Sequence, residues 1–287
     1  MKPAPFDYVR PQTIEAALAL LAEPKTDSKI LAGGQSLVPM MNFRLAQPAR
    51  LIDINRLPGS DYIKIEGREL VIGFLARHES VKQSDVVEKA CPLMHGAYEY
   101  VAHGPVRNRG TLCGNLCHAD PASEMPAVML AVGATLVLKS SKGERRVAAK
   151  DFFVGMYETA TRTDELLVEV RIPVAVKGQG WGFHEVSTRK GDFAFTCIGA
   201  LLTVAGGKIT AAAVVASGVS AKAIRLPGVE ALLVSSSPSD KLFAQAGAAA
   251  RKEVEPSSDF QASAEYRRDL LETLTTRALA DAAKQAI

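Results

Sequence analysis

The stretch Arg107–Pro121, RNRGTLCGNLCHADP, admits two readings that lead to different proteins. Cys113 and Cys117, followed by His118 and Asp120, are the residue types of a metal site. Gly110, Thr111, Gly114 and Asn115 are instead the small, donor-bearing residues of a loop that holds phosphate. A structural metal needs a closed set of about three or four ligands. The remaining cysteines, Cys91 and Cys197, are remote and flanked by apolar residues, and His118 adjoins Cys117 too closely for easy joint ligation. Cysteines beside glycines more often act as small buried fillers. Ligand count therefore favours the phosphate loop, with Asp120 and Glu124 as acceptors for sugar or ribityl hydroxyls.

A second glycine stretch, Ala32–Ser36 (AGGQS), has the same chemistry. It lies in KILAGGQSL, a short apolar strand followed by a turn and a helix start. Gly33 and Gly34 can take positive φ without a Cβ clash, so the backbone can curl around an anion. The helix that follows, containing Pro39, Met40, Met41 and Leu45, aims its dipole at the same gap. The alternative is a tight strand-to-helix turn that binds nothing. Two such loops suit a pyrophosphate gripped from both sides. No G-x-G-x-x-G follows a strand and no G-x-x-x-x-G-K-[ST] is present, which disfavours a Rossmann site and a P-loop.

Outward from these motifs, periodicity organises the chain. TIEAALALLAE places Ile14, Ala17, Leu18 and Leu21 on one helical face, with Thr13 as N-cap. With the strands KIL and RLIDI, it gives the helix–strand rhythm of a small parallel unit. YIKIEGRELVIGF predicts a hairpin at Gly67, Val86–Val101 predicts helix broken at Pro92, and Glu124–Val132 predicts an apolar helix. A hairpin at Lys142-Gly143 and the strand ELLVEVRIP follow. VAVKGQGWGF reads as a glycine-rich joint, and Phe193–Val219 as two long strands turning at Gly206-Gly207. Helices are expected over Gly228–Val234, Asp240–Val254 and Ser263–Ala286.

The 287 residues suffice for one large or two to three small domains, with 47% hydrophobic and 23% charged residues. A net charge of +3 without a Lys/Arg run gives no footprint for nucleic acid. The longest apolar stretch, Pro126–Leu138, is too short for a membrane span, and MKPAPFDYV lacks a signal-peptide core. Four cysteines without paired spacing suit a reducing compartment, so a soluble cytoplasmic protein is expected.

ILAGGQSLVPMMNFRL, LIDI, RNRGTLCGNLCHADPASEMPAVMLAVGATL and RKGDFAF occur in an order and spacing that resemble one family over essentially the whole chain. It is the FAD-binding medium subunit of molybdenum hydroxylases, the group of xanthine oxidase and carbon monoxide dehydrogenase. The resemblance implies an α+β fold. A PCMH-type FAD-binding domain would span 1–176, in subdomains of about 1–58 and 59–176, and a smaller antiparallel-sheet-plus-helices domain 177–287. It implies that Ala32, Gly33, Gly34, Gln35 and Ser36, with Thr111, Leu112, Cys113, Gly114 and Asn115, clamp the FAD pyrophosphate, and that Leu37 belongs to the cofactor-binding set. By the same resemblance Glu124 binds ribityl hydroxyls, Leu167 packs near the flavin, and Phe193 lies by the isoalloxazine. His118 and Asp120 belong to the same cofactor-binding set, although His118 taken alone reads as satisfying a backbone carbonyl. His184 falls where some members carry a lysine at the pyrimidine edge. Cys113 replaces a glycine and Phe193 a tyrosine of some members. Taken alone, Phe193 reads as a core aromatic of an apolar strand, and His184 as a surface histidine.

The implied complex has a large molybdenum-cofactor subunit and a small subunit with [2Fe–2S] clusters, arranged as a dimer of heterotrimers. This chain would carry FAD and pass electrons to an external acceptor, with no catalytic acid or base and no metal of its own. Arg107–Gly110 and the turn Thr188–Asp192 are the candidates for lying near the exposed cofactor edge. A self-contained FAD oxidase or reductase is the alternative. The small, apolar residues after Val176 count against a substrate domain. A non-catalytic assembly protein is the other class, separable by flavin absorbance.

Overall fold

The computed structural model describes residues 1–286. Its N-terminal unit is a parallel sheet in which Arg50–Asp53 lies between Asp7–Val9 and Ser28–Leu31. The helix Ile14–Leu21 starts where Thr13 Oγ1 accepts the Ala16 N–H at 3.1 Å, and it buries Ala17, Leu18 and Leu21. Asp7–Val9 escapes sequence reading because three residues carry too little pattern to register.

The second sheet has five antiparallel strands. Its central strand, Leu166–Pro173, pairs with Glu69–Gly73 on one side and Thr135–Ser140 on the other. The two expected hairpins thus form, and a strand from about a hundred residues later joins the first of them. Short helices Asp85–Ala90 and Pro92–Ala97 meet at Pro92, as its missing N–H dictates. Glu124–Val132 is buried from Glu124 through Ala131, which fits its nearly unbroken apolar sequence.

The third sheet runs Gln179–Val186, Thr196–Ala205, Lys208–Ser217, Ile224–Arg225, all antiparallel. Its two faces alternate between cores. Phe183, Cys197, Leu201 and Val215 join the core shared with the N-terminal half, whereas Ile198, Ala200, Leu202 and Val214 face the helices Pro227–Leu233, Asp240–Glu253 and Ala264–Gln285. The glycine-rich stretch is part connector and part strand. Residues 174–178 lie outside any strand, whereas QGWGF lies within the strand Gln179–Val186, and its glycines let a helix backbone lie directly on it. A Cβ on Gly180 would run into the carbonyl oxygen of Ala282, and one on Gly182 into that of Ala278.

No described helix is long and apolar enough to cross a membrane.

Candidate functional site

The two glycine motifs, about eighty residues apart in sequence, touch. A Cβ on Gly33 would stand 2.5 Å from the carbonyl oxygen of Arg109 and 2.6 Å from Gly110 Cα, so only glycine permits this approach. Of the two glycines expected at positive φ, only Gly34 has it, at 72°. Gly33 is required for proximity, not for backbone conformation. Gln35 folds back so that Nε2 donates to Gly33 O at 2.9 Å. Ser36 caps the helix Leu37–Asn42 without a side-chain bond, and the first turn of a helix leaves N–H groups with no intrahelical acceptor.

The second motif is less open than its sequence suggests. Thr111 is the N-cap of a helix, Leu112–His118, and its Oγ1 accepts the Gly114 N–H at 3.1 Å. The Thr111 hydroxyl and Gly114 amide, expected as ligand donors, are therefore engaged with each other. Leu112 N donates to Ala76 O at 3.2 Å, which leaves Cys113 N–H as the first-turn donor without an intrahelical acceptor. The Cys113 side chain points into the core, 3% exposed, and burial holds its thiol well above its ordinary pKa. It packs as a neutral filler, so this position offers its backbone N–H rather than its thiol. Cys117 is exposed. Among the described residues, no three His, Cys, Asp or Glu side chains gather as a metal site.

Two residues that sequence reasoning missed join the loops. Asn55 Nδ2 donates to Ala32 O at 2.7 Å, and its Oδ1 accepts from Arg77 Nη2 at 2.7 Å. Arg77 Nη1 then donates to Arg109 O at 2.5 Å. The line continues backwards from Asn55 through Asp53 to the Tyr8 hydroxyl. No local pattern marks Asn55 or Arg77. Their role exists only once four separate segments, at Ala32, Asn55, Arg77 and Arg109, meet.

Beyond the second helix lies an acidic end. Asp120 Oδ1 accepts the Ala122 N–H at 2.9 Å, and Tyr157, in the left-handed region at φ 57°, reaches Asp120 Oδ2 with its hydroxyl at 3.3 Å. The His118 ring lies tilted against that of Tyr157, centroids 5.0 Å apart. Asn115 donates to Ser123 Oγ at 2.9 Å, and Ser123 in turn reaches Glu124 Oε2 at 3.4 Å. Glu124 is 4% exposed, and burial pushes its carboxyl up to about 7. Glu185, not anticipated from sequence, has both carboxylate oxygens buried without a hydrogen-bond partner among the described residues. Burial, then the charge of Glu124, pushes it up to about 9.

Glu185 also corrects the placement of His184. In an extended strand, neighbours face opposite ways. His184 shares the face of Gly180 and Gly182, and its Nε2 lies 2.9 Å from Asp281 Oδ2 on the C-terminal helix. It is therefore turned away from Glu124, and Glu185 turned towards it. Counting alternation along GWGFHEV reveals that the two face opposite ways, but not which of them meets the helix.

Phe193 precedes the strand Thr196–Ala205 and is 51% exposed, so it is not the core residue that its apolar neighbours suggest. It sits where the C-terminal unit docks on the acidic end. Next to it, Ala194 N donates to Ala122 O at 3.4 Å, and Gly218 N donates to Pro121 O at 2.7 Å. Leu167 is 2% exposed, at the bulge of the central strand of the second sheet. Arg107 is spent internally, donating to Glu79 at 2.6 Å and to the carbonyls of Val101 and Ala102. Arg189 and Lys190 remain mostly exposed while pairing with Asp192 and Glu99.

The sequence of groups, from adjoining glycine loops through buried carboxyls to a half-exposed aromatic, suits an elongated ligand with an anionic middle, hydroxyls and a flat ring. Comparison with known proteins agrees. Residues 4–175 match the FAD binding domain in molybdopterin dehydrogenase, and residues 181–282 the CO dehydrogenase flavoprotein C-terminal domain. The chain is 41% identical to the caffeine dehydrogenase subunit beta of Pseudomonas sp. (strain CBB1), over 100% of this chain and 98% of that one. It is 34% identical to the carbon monoxide dehydrogenase medium chain of Hydrogenophaga pseudoflava, over 97% of each. Among solved structures, a carbon monoxide dehydrogenase from Hydrogenophaga pseudoflava superposes with a TM-score of 0.96 at 35% identity over 99% of each chain. Quinoline 2-oxidoreductase from Pseudomonas putida 86 gives 0.95 at 36% identity, over 100% of this chain and 99% of that one.

Proposed function

Because the chain belongs to the family of FAD-binding medium subunits of molybdenum hydroxylases, we propose that it is the electron-transfer subunit of such an enzyme. Bound FAD supplies reversible redox chemistry, by which the chain would relay electrons from [2Fe–2S] clusters of a small subunit to an external acceptor. The large subunit would hold the molybdenum cofactor, the assembly would be a dimer of heterotrimers, and its location the cytoplasm. A boundary near residue 176 would separate the FAD-binding domain from the C-terminal one.

The observation that carries this reading is the contact of Gly33 with Arg109 and Gly110, which sets two donor-bearing turns edge to edge. Gly33, Gly34, Gln35, Ser36 and the N–H groups at Leu37 and Cys113 would bind the pyrophosphate. Thr111, Gly114 and Asn115 would hold the second turn in shape through their own hydrogen bonds. Glu124 and Asp120 would accept ribityl hydroxyls. Glu124 can also donate a proton to a hydrogen bond, since its carboxyl titrates near neutrality. Phe193 would shield one side of the flat ring. None of these residues needs to act as an acid or base in the electron relay.

Co-purification from the native source, with flavin, molybdenum and iron analysis, tests the proposal. One FAD per chain and two partner subunits carrying molybdenum and iron are expected. The isolated chain should hold FAD, released by acid, and turn over no aromatic heterocycle, aldehyde or carbon monoxide. Robust oxidation of such a substrate by the single chain would replace this reading with a self-contained flavoenzyme.

A further inference from the structure

We propose that Arg77 is a positioning residue that fixes the two glycine turns against each other and lends its charge to the phosphate-bearing part of a ligand held between them. The proposal rests on the FAD reading above and extends it to a residue outside both motifs.

Arg77 is well placed to fix the turns. One guanidinium nitrogen donates to Arg109 O at 2.5 Å, the same carbonyl that a Cβ on Gly33 would strike. The other donates to Asn55 Oδ1 at 2.7 Å, and Asn55 holds the carbonyl of Ala32 at 2.7 Å. One planar fork thus spans from the first turn to the second, a geometry that a lysine ammonium cannot reproduce. The backbone reinforces it, because Arg77 and Thr111 form an antiparallel bridge and His78 N donates to Gly110 O at 3.0 Å.

Both acceptors of the fork are neutral, and among the described residues Arg77 forms no ion pair. Asp53, the nearby carboxylate of the same network, is occupied by Tyr8 and Asn55. Burial, and then the positive charge of the exposed Arg109, lowers the Arg77 pKa. A partly buried guanidinium that touches no carboxylate, with Asp61 and Asp53 near enough only to offset part of the cost, is unfavourable in the empty protein and favourable when an anion arrives. A pyrophosphate between the turns meets that requirement.

The test uses the full-length chain, stripped of flavin and titrated with FAD at low and high salt, with ligand-free melting recorded in parallel. Arg77→Gln keeps some hydrogen bonding but no charge, and Arg77→Lys keeps the charge but not the fork. Arg77→Gln should weaken FAD binding about tenfold at low salt, and the gap should narrow as salt screens the wild-type charge. Arg77→Lys should fall between Arg77→Gln and wild type at low salt. Unchanged FAD affinity in Arg77→Gln would overturn the proposal. So would an equal loss in both variants that is indifferent to salt and follows a lower melting temperature, the mark of a structural role alone. A wild-type chain that binds no FAD would instead overturn the cofactor reading, and the proposal with it.

Discussion

Replacing Gly33 by alanine isolates the contact between the two glycine turns from every other property of the site. Gly33 does not have a positive φ, so alanine brings no backbone strain of the left-handed kind. Its Cβ would stand 2.5 Å from Arg109 O and 2.6 Å from Gly110 Cα. Ordinary contact between such atoms requires about 1 Å more. The struck atoms are backbone, and Arg109 O is held by Arg77, so the second turn cannot yield without breaking that bond. Forcing an extra methyl into a close-packed contact costs about 1–3 kcal/mol. If the turns separate and this cost appears in ligand binding, FAD affinity falls between about 5- and 150-fold. Gly34→Ala is the control. It sits at φ 72°, where a side chain costs about 1–2 kcal/mol, but its Cβ meets only the ends of Leu31 and Val38 at 3.1 and 3.2 Å, which can turn aside. It should lower the ligand-free melting temperature while costing less affinity than Gly33→Ala. Fluorescence titration of the stripped variants with FAD reads both numbers. Wild-type affinity in Gly33→Ala, or a larger loss in Gly34→Ala, would refute the claim that loop-to-loop proximity builds the site.

Three further outcomes follow from the packing. Gly182→Ala would drive a methyl into the backbone of the C-terminal helix at Ala278, which should cost about 1–3 kcal/mol and lower the melting temperature by several degrees; an unchanged melting temperature would dismiss close helix-on-strand packing. Burial, with the mutual repulsion of the pair, holds the Glu185 and Glu124 carboxyls well above the ordinary carboxyl value of 4.5, so the stability they lend is complete below about 4.5 and is lost as pH rises through neutrality and beyond. Glu185→Gln should therefore flatten the fall of ligand-free melting temperature between pH 6 and 9, and equal slopes in variant and wild type would count against a neutral, buried Glu185. Phe193→Ala removes a half-exposed ring and should leave ligand-free stability within about 0.5 kcal/mol while weakening FAD binding; a large drop in stability with affinity intact would return Phe193 to the core.

What the sequence determined by itself is whatever a few neighbouring residues can settle. Thr13, Ser84, Ser239 and Ser263 cap their helices with their own hydroxyls, Gly67 and the pair Gly206-Gly207 turn their hairpins at positive φ, and Pro92 divides two helices. The two glycine motifs were legible for the same reason, because a strand, a glycine turn and a helix start are local events. Only the tertiary structure decided what those motifs do together. The Gly33–Arg109 contact and the fork of Arg77 depend on segments tens of residues apart. The central position of Leu166–Pro173, the inward turn of Cys113 and the exposure of Phe193 depend on which surfaces the assembled layers cover. His184 and Glu185 show the division within one strand. Alternation requires that they face opposite ways, but only the helix packed on Gly180 and Gly182 fixes which of them meets Asp281 and which is buried towards Glu124. Local propensity is set by each residue's own backbone and nearest neighbours, whereas burial and unpaired charge belong to partners that the chain brings together only by folding.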